Sequence, residues 1–464
     1  MHRFIRKYPL YSALFGFWLA LGSLSRILFF FKFGNHLAIL SLFQVLAVGL
    51  LLDVMVGGAV VAFLMLPSLM PFRLSARILR ILQASYFGLC SFGLFYLAAV
   101  EYYFFEEFGA RFNYVAVDYL LFPQEVFTNI WQSYPVLPVI FACAVLAIVL
   151  ASGYFWGVRQ IQYAPLPWFK RLGIWSGWVL MSTLALLFSS MRWSHWSSDR
   201  TLNELSQNDL YQFFYSLQTA SLDYNQYYAT LPSDMAWQKL KADLLPAPKR
   251  AGHSTFHTQT AHKASIRPNV VFIVMESFGA EFSGKLSQNE GYTQAFDQLA
   301  SQGLLFSNAF ATGNRTIRGL EAILTSFPPL PGRSVVKRDK SRHFFSIAQV
   351  MQEQGYQTRF LYGGRGLFDG MRDFMLSNGY EKFLEQKDFA DPSFTTAWGV
   401  CDDDLYQQSL AEFDQLNKAG KPFFATVLTV SNHKPYTYPK GRIQADPDAH
   451  KRVNAVQYAD AALG

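Results

Sequence analysis

The sequence predicts a bundle of five transmembrane helices followed by an α/β domain with a mostly parallel sheet. One observation is composition: 51% of the 464 residues are hydrophobic and 44 are Phe, which is too apolar for an ordinary soluble protein. A second is that the long apolar stretches precede Met191. A third is that short apolar runs alternate with helical patterns after Pro268, as they do in α/β folds.

Five segments meet the requirement of roughly 20 apolar residues for crossing a bilayer. They are Leu10–Phe31, Leu37–Leu66, Ile78–Phe104, Tyr134–Phe155 and Leu172–Met191. The first is too long for a signal peptide and lacks a small-residue cleavage site, so we expect it to remain as an anchor. The transmembrane domain is therefore expected over residues 1–191.

Basic residues in the loops predict the orientation of this domain. The N-terminus and the loops after the second and fourth segments carry Arg3, Arg6, Lys7, Arg73, Arg77, Arg159, Lys170 and Arg171. Positive residues favour the cytoplasmic side, so the N-terminus is predicted to be cytoplasmic. Since five is odd, the chain after Met191 is then expected outside the cytoplasm.

Two features of the apolar half are candidates for function. Asp53 and Glu101 are carboxylates inside predicted spans, where charge is costly and often functional, although hydrogen bonding between helices is the alternative. The stretch "EEFGARFNYVAVDYLLFPQEVFTNIWQSYP" after the third span is long, aromatic and mixed in charge. We expect it to lie along the outer membrane surface and to contact the soluble domain.

Residues 192–266 are predicted to hold juxtamembrane helices and a linker. "TLNELSQNDLYQFFYSL" has helical spacing with a capping box at Thr201 and Glu204, and it predicts one amphipathic helix on the membrane or on the soluble domain. "PSDMAWQKLKADLL" predicts a short helix. The polar tract that follows contains His253, His257 and His262, and its composition favours a linker over a metal site.

Residues 267–464 are predicted to form the α/β domain. The expected strands are "NVVFIVME", "LLFSNAFA", "YQTRFLYGG" and "PFFATVLTVSNH", and the expected helices are "AFDQLASQG", "IRGLEAILTSF", "HFFSIAQVMQEQG" and "CDDDLYQQSLAEFDQL". In such folds the active site lies at the carboxyl ends of the strands.

Three reactive side chains are predicted at that edge of the sheet. Glu276, Thr316 and His433 each follow a predicted strand, and Thr316 also begins a helix. A carboxylate can hold a divalent cation, which turns a bound hydroxyl into a nucleophile. The helix N-terminus favours phosphate, and Arg315 or Arg318 can grip phosphate oxygens. The alternatives are a helix cap for Thr316 and a structural carboxylate for Glu276.

The composition argues against other classes of function. No Lys/Arg-rich run with interleaved aromatics indicates a nucleic-acid partner, and the net charge of +7 suits membrane orientation and lipid headgroups. The three cysteines, Cys90, Cys143 and Cys401, form neither a disulfide framework nor a metal pattern.

Several motifs together resemble one enzyme family. "NVVFIVMES", "GNRTIRGLEAILTSFPPLPG", "LYGGRGLFDGMRDF", "WGVCDDDL" and "TVSNHKPY" are similar to the lipoteichoic acid synthase family of the sulfatase/alkaline phosphatase superfamily. Five spans before an exported catalytic domain match its architecture. The resemblance implies transfer of glycerol phosphate from phosphatidylglycerol to an exported glycan or lipid, through a phosphothreonine. It also implies a bacterial inner membrane with a periplasm.

The resemblance implies roles for individual residues. Glu276 matches a metal ligand, and Thr316 matches the nucleophile, which also contacts the metal. Arg372 and His433 match substrate-binding residues. The expected cofactor is a divalent cation of the manganese type, with Mg²⁺ or Zn²⁺ as alternatives. The formylglycine motif of sulfate-ester hydrolases does not surround Thr316.

One family motif is missing from the sequence. The family's other metal ligands include an Asp-His pair on a later strand, and no such pair occurs here. The sequence stops at "NAVQYADAALG", which is similar to the helix before that strand. We therefore expect the sequence to be a fragment of a longer protein.

Two other functions remain open at this point. A phosphoethanolamine transferase would use the same threonine and metal, although such transferases are usually richer in exported cysteines. Another phospho- or sulfo-ester hydrolase of the superfamily is a further alternative. An inactive scaffold or lipid-headgroup sensor would explain the missing metal motif.

Overall fold

The structure is a computed structural model. It describes residues 9–69, 75–121, 123–159, 167–188, 195–219, 229–243, 266–287, 291–313, 315–327, 330, 333–338 and 341–464. The chain divides into two units, residues 1–123 with 134–219, and residues 124–133 with 220–464. The predicted linker with His253, His257 and His262 lies outside the described residues.

The elements are numbered here in chain order. The α-helices are α1 (Pro9–Phe33), α2 (Ser41–Leu64), α3 (Ala76–Phe108), α4 (Tyr114–Tyr119), α5 (Pro123–Ser133), α6 (Val136–Gly157), α7 (Trp168–Phe188), α8 (Arg200–Ser206), α9 (Asp209–Thr219), α10 (Ser233–Asp243), α11 (Gln294–Gln302), α12 (Thr316–Thr325), α13 (Ile347–Glu353), α14 (Met371–Ser377), α15 (Asp402–Lys418) and α16 (Arg452–Leu463). The strands are β1 (Val270–Val274), β2 (Gln357–Tyr362), β3 (Lys382–Leu384), β4 (Thr395–Thr396), β5 (Gly399–Val400) and β6 (Phe423–Leu428).

Four helices of the first unit are long and apolar enough to cross a membrane. Within the described residues these are Pro9–Phe33, Ser41–Leu64, Arg77–Phe108 and Val136–Gly157. The fifth predicted span corresponds to α7, whose first turn carries Lys170 and Arg171. The predicted number of five transmembrane helices is therefore not confirmed.

The two intramembrane carboxylates form ion pairs in the first unit. Asp53 pairs with Arg26 at 2.5 Å, and its other oxygen accepts a hydrogen bond from Asn208. Glu101 pairs with Arg111. All four charged side chains are buried, where an unpaired charge would cost several kcal/mol. Both carboxylates are therefore paired within the helical unit, and a functional role for either of them stays a prediction.

The predicted amphipathic helix after the spans is two helices. α8 and α9 are separated at Gln207, whose backbone is extended. The cap also differs from the prediction, because Asp199 is the N-cap and accepts hydrogen bonds from the N–H groups of Thr201 and Leu202. The Glu204 carboxylate instead accepts from the N–H of Arg111, so the predicted capping box is wrong.

The second unit contains the predicted parallel sheet. Its strand order is β1-β6-β2-β3, and all neighbouring strands are parallel. β6 is buried along its whole length, as its continuous apolar sequence requires for a strand covered on both faces. In register, Leu428 of β6 lies between Val274 of β1 and Tyr362 of β2. The carboxyl ends of these three strands therefore meet at one edge.

Apolar side chains cover both faces of the central strands β2 and β6. On one face Ile317, Leu320 and Leu324 of α12 belong to the same core cluster as Phe360 and Phe424 of the sheet. On the other face Leu405 and Leu416 of α15 join Leu361 and Val427. This packing between two helical layers fixes the ends of the strands, from which the site residues project.

One predicted strand is not formed. The segment "LLFSNAFA" has no strand hydrogen bonding, and Leu304, Phe306 and Phe310 are exposed. An apolar run becomes a strand only where a neighbour pairs with its backbone, and none of the described residues does so here. The helix that follows, α12, nevertheless begins where the sequence predicts.

Candidate active site

The structure brings Glu276 and Thr316 into direct contact. Glu276 lies two residues beyond the end of β1, and Thr316 is the first residue of α12. The Thr316 hydroxyl donates a hydrogen bond to Oε2 of Glu276 at 2.5 Å. The hydroxyl of Ser277 donates to the other carboxylate oxygen at 2.9 Å. The predicted proximity of a carboxylate and a hydroxyl at this sheet edge is confirmed.

Residues after β6 hold the backbone of Glu276 in place. Its N–H donates to the Thr429 hydroxyl at 2.9 Å. The Asn432 amide donates to the carbonyl oxygens of Glu276 at 3.1 Å and Ser277 at 2.9 Å. Thr429 and Asn432 were not predicted from the sequence, although both lie in the "TVSNH" stretch that ends in His433. Their polar side chains directly after a buried strand were the available signal.

Thr316 does not cap its helix. The N-cap position of α12 belongs to Arg315, which makes no side-chain capping bond. The hydroxyl of Thr316 points to Glu276 instead of a backbone N–H group. The capping alternative is therefore wrong. Thr316 lies at the positive end of the helix dipole, where an anion is favoured.

Two of the predicted basic residues near Thr316 pair with carboxylates. Arg315 lies 4.0 Å from Asp369, whose other oxygen is 2.5 Å from Lys337. Arg318 lies 2.7 Å from Glu321, one turn further along α12. Both arginines near the start of α12 therefore have carboxylate partners in the structure. Neither Lys337 nor Asp369 was singled out from the sequence.

Arg372 occupies a different part of the site edge. It pairs with Glu385, which follows β3 and also accepts a hydrogen bond from the N–H of Gly366 at 2.6 Å. Among the contacts of the described residues, no direct bond joins Arg372 to Glu276 or Thr316. The structure therefore gives Arg372 a carboxylate partner, and a substrate-binding role for it stays a prediction.

His433 stacks on Trp398. The two rings are 4.0 Å apart between centroids and 27° from parallel. Trp398 also meets Phe368 edge to face at 5.6 Å. Because His433 directly follows Asn432, which binds the Glu276 backbone, the imidazole is on the same edge as the Glu276–Thr316 pair. Trp398 is a residue of this edge that was not predicted from the sequence.

Burial and nearby charges shift two titratable groups at this edge. Burial raises the pKa of Tyr362, at the end of β2, far above its usual range, and the negative charges of Glu276 and Asp369 add to the shift. The Tyr362 phenol is therefore neutral and available as a hydrogen-bond donor near both carboxylates. Burial also raises the pKa of Asp402 to about 6, although the N–H groups of Val430 and Ser431 bond to it.

The oxygen atoms of Glu276 and Thr316 suit a hard divalent cation as part of its coordination shell. No group of three or more His, Cys, Asp or Glu side chains with metal-binding geometry occurs among the residues that the structure describes. The two oxygens therefore fit such a cation as two ligands of a larger set.

Comparisons with known proteins agree with this geometry. The Sulfatase family model matches residues 268–464. Phosphoglycerol transferase I of Citrobacter koseri is 23% identical over 340 residues, which are 68% of this chain and 42% of that protein. Phosphoglycerol transferase I of Xanthomonas campestris pv. campestris (strain B100) is 27% identical over 183 residues, 36% of this chain and 26% of that protein. The chain thus spans less than half the length of these relatives.

A solved structure is also similar to part of the chain. It is a protein in the alkaline phosphatase superfamily from Vibrio parahaemolyticus, with 40% sequence identity and a TM-score of 0.49. The match covers 52% of this chain and 60% of that one. The parallel sheet, the site at its carboxyl edge and the matched family model lead to one conclusion. Residues 268–464, which contain the parallel sheet and the edge with Glu276 and Thr316, are similar to the Sulfatase family.

Proposed function

We propose that this protein transfers phosphoglycerol from phosphatidylglycerol to an acceptor glycan or lipid, with Thr316 as the nucleophile. The observation that carries the proposal is the 2.5 Å hydrogen bond from the Thr316 hydroxyl to Glu276 at the start of α12. The names of the two curated relatives support phosphoglycerol as the transferred group. The apolar helices support a donor that resides in a membrane.

The first step forms a bond between Thr316 Oγ and the phosphorus of the donor. The Thr316 hydroxyl gives up its proton, the bond from phosphorus to the diacylglycerol oxygen breaks, and that oxygen takes up one proton in return. In the second step an acceptor hydroxyl attacks the phosphothreonine, the Thr316 oxygen leaves, and the threonine regains its proton. Phosphoglycerol is thereby transferred without net hydrolysis, and the helix N-terminus stabilises the negative charge of the phosphoryl group.

A divalent cation is part of the proposal, with Glu276 and Thr316 as two of its ligands. Mn²⁺ is the expected ion, and Mg²⁺ or Zn²⁺ are alternatives. When bound, such a cation would lower the pKa of the threonine hydroxyl and neutralise charge on phosphate. Independently of the metal, Thr429 and Asn432 hold the Glu276 backbone, so they position its carboxylate for this role.

The remaining predicted residues have proposed roles in binding the donor. Arg315 and Arg318 lie at the start of α12, where their guanidinium groups can bind phosphate oxygens. His433 is held flat against Trp398, so one of its ring nitrogens can donate a hydrogen bond to the headgroup or to the leaving oxygen. Arg372 can bind the substrate in two ways. Either its guanidinium leaves Glu385, or the Arg372–Glu385 pair binds the substrate together.

Mass spectrometry of the full-length natural protein tests the covalent step. After incubation with phosphatidylglycerol and Mn²⁺, the peptide that contains Thr316 should carry a glycerol-phosphate adduct. Glu276→Ala should lose both the adduct and metal occupancy, whereas Glu281→Ala, an exposed carboxylate nearby, should keep both. An adduct on another residue, or turnover without any adduct, would contradict the mechanism.

A second candidate function is a non-catalytic sensor of lipid headgroups. It is favoured by the observation that the described residues contain no group of three metal-binding side chains. This candidate predicts that the protein binds phosphatidylglycerol vesicles but neither forms the adduct nor releases diacylglycerol. A phosphoethanolamine transferase would instead form its adduct from phosphatidylethanolamine.

A further inference from the structure

Helix α5 (Pro123–Ser133) has two faces with opposite chemistry. Glu125, Asn129 and Gln132 follow at intervals of four and three residues, so they share one face of the helix. Ile130 and Trp131 lie three and four residues after Phe127, so these three side chains share the opposite face. The helix is therefore amphipathic, and the contacts of each face indicate what it meets.

The polar face of α5 binds the sulfatase domain at three points. Glu125 pairs with Arg365 at 3.0 Å, and only a small part of its side chain is exposed. Asn129 accepts a hydrogen bond from the indole N–H of Trp398 at 3.1 Å. Gln132 accepts one from the N–H of Ala397 at 3.1 Å. These contacts explain why α5 groups with residues 220–464 and not with its neighbours in sequence.

The apolar face of α5 is exposed. Phe127 is 67% exposed, Trp131 is 51% exposed and Ile130 is 38% exposed. Aromatic side chains with this exposure are costly in water but typical of the interface between lipid headgroups and acyl chains. The aromatic content of this face, on a helix whose other face is polar, matches a helix that lies in the membrane interface.

The position of α5 in the chain identifies the surface that covers its apolar face. α5 lies between two helices that are long and apolar enough to cross a membrane, α3 and α6. Only residues 134 and 135 separate it from α6. A helix joined this closely to a membrane-spanning helix begins or ends at the bilayer surface. A lipid bilayer is therefore the partner that the chain itself supplies for this face.

We propose that Phe127, Ile130 and Trp131 of α5 insert into the interfacial layer of the bilayer and that the opposite face holds the site edge of the sulfatase domain. The second half of the proposal rests on Trp398, which binds Asn129 through its indole N–H and stacks on His433. α5 thus connects the membrane surface to His433 through a single side chain. The contribution of α5 to turnover rests on the proposed function, whereas the contact between α5 and lipid does not.

Fluorescence quenching on the full chain in proteoliposomes tests the lipid contact. In a background with Cys90, Cys143 and Cys401 replaced by Ala, Phe127→Cys and Trp131→Cys would each carry an environment-sensitive fluorophore. Leu410→Cys is the matched control, because Leu410 is an apolar residue of α15 with 63% exposure. Vesicles of phosphatidylcholine and phosphatidylglycerol would carry nitroxide lipids, and iodide would serve as the aqueous quencher.

The expected result is several-fold stronger quenching by nitroxide lipids at positions 127 and 131 than at 410, with the opposite order for iodide. Equal quenching by iodide at all three positions would overturn the proposal. Protection from both quenchers would also overturn it, because a protein segment or a second copy would then cover this face. Size-exclusion profiles and fluorophore incorporation would establish that the labelled variants are folded.

Measurements of lipid turnover distinguish a failure of the membrane-docking proposal from a failure of the proposed function. Phe127→Asp with Trp131→Asp should lower phosphatidylglycerol turnover in vesicles several-fold and leave turnover of a short-chain, detergent-dispersed phosphatidylglycerol unchanged. Leu410→Asp should change neither. An equal loss on both substrates would contradict the membrane-docking role. If no variant or wild-type protein turns over either lipid, the proposed function fails, and the quenching result still decides the lipid contact.

Discussion

The hydroxyl of Thr316 lies 2.5 Å from the carboxylate of Glu276, although 40 residues separate them in the sequence. Each residue follows the end of a predicted strand. The strand before Glu276 is β1 of the structure, whereas the segment before Thr316 does not form a strand. The contact therefore depends on the start of α12 and on the residues after β6 that hold Glu276. This distinction determines which substitutions should affect activity and which should affect stability.

Thr316→Ala should abolish phosphoglycerol transfer while the melting temperature changes little. The hydroxyl makes one hydrogen bond outside the helix and no cap, and such a bond contributes about 1 kcal/mol. Thr316→Ser should keep part of the activity. Thr325→Ala removes a hydroxyl from the other end of α12 and should retain activity. Release of diacylglycerol measures turnover, and undiminished release by Thr316→Ala would return the residue to a structural role.

Thr429→Val should impair the site without removing any proposed catalytic group. Valine has the same shape but cannot accept the hydrogen bond from the Glu276 N–H. An unsatisfied backbone donor costs about 1–3 kcal/mol, and release of this donor lets Glu276 move away from Thr316. We expect a lower melting temperature, lower metal occupancy and lower kcat. Thr429→Ser restores the acceptor and should recover all three, so failure of the serine variant would contradict this explanation.

The contribution of Asp402 to stability should fall as pH rises from about 4 to about 6. Burial raises the pKa of its carboxyl to about 6, so the folded protein binds this proton more tightly than the unfolded chain, whose Asp titrates near 3.8. The stabilisation is complete below the unfolded pKa and is lost as pH rises through the folded one. A pKa that is higher by about 2 in the folded protein corresponds to about 3 kcal/mol in the free energy of unfolding.

Melting temperatures of the detergent-solubilised protein across this pH range test the assignment. Asp402→Asn has no proton to lose, and its amide can still accept from Val430 and Ser431, so the Asp402 contribution to the slope should disappear. Asp414→Asn, on the exposed side of the same helix, should keep the slope of the wild-type protein. An unchanged slope in Asp402→Asn would mean that another group is responsible.

Topology depends on whether α7 crosses the membrane. With five spans, a phosphatase reporter fused after Val158 should be inactive because it is cytoplasmic, and one fused after His195 or Leu245 should be active. Lys170 and Arg171 in the first turn of α7 fit a cytoplasmic start for this helix. If the fusions at 158 and 195 report the same side, the five-span prediction is wrong. If that side is the cytoplasm, the proposed chemistry outside the cytoplasm is wrong as well.

Local sequence patterns predicted the main elements around the site. The helices around Thr316 and Asp402 were predicted from their periodicity, and the buried strand β6 was predicted from its apolar run. The segment from Leu304 to Ala311 has an equally apolar pattern but is not a strand, because its state depends on a pairing partner that no short pattern encodes. The same limit applies to α8 and α9, whose separation at Gln207 reflects contacts with distant residues.

Sequence reasoning could find reactive side chains that directly follow the end of a predicted strand. Glu276, Thr316 and His433 could be predicted in this way. The residues that position them, such as Asn432 and Trp398, act through contacts over long sequence separations. Asn432 binds a carbonyl 156 residues away, and nothing in its local sequence identifies that partner. Positioning residues become visible only once the fold is known.

The contacts of the polar face of α5 also constrain the order in which parts of the protein fold during synthesis. Its hydrogen bonds to Ala397 and Trp398 span 265 and 269 residues, respectively. At roughly 5–20 residues per second, a ribosome takes about 13 to 54 seconds to make the intervening chain. During that time the 11-residue helix has neither of these two partners, and helices of this length are marginal in water. The contact from Asn129 to Trp398, and with it the link to His433, must therefore form late in biosynthesis.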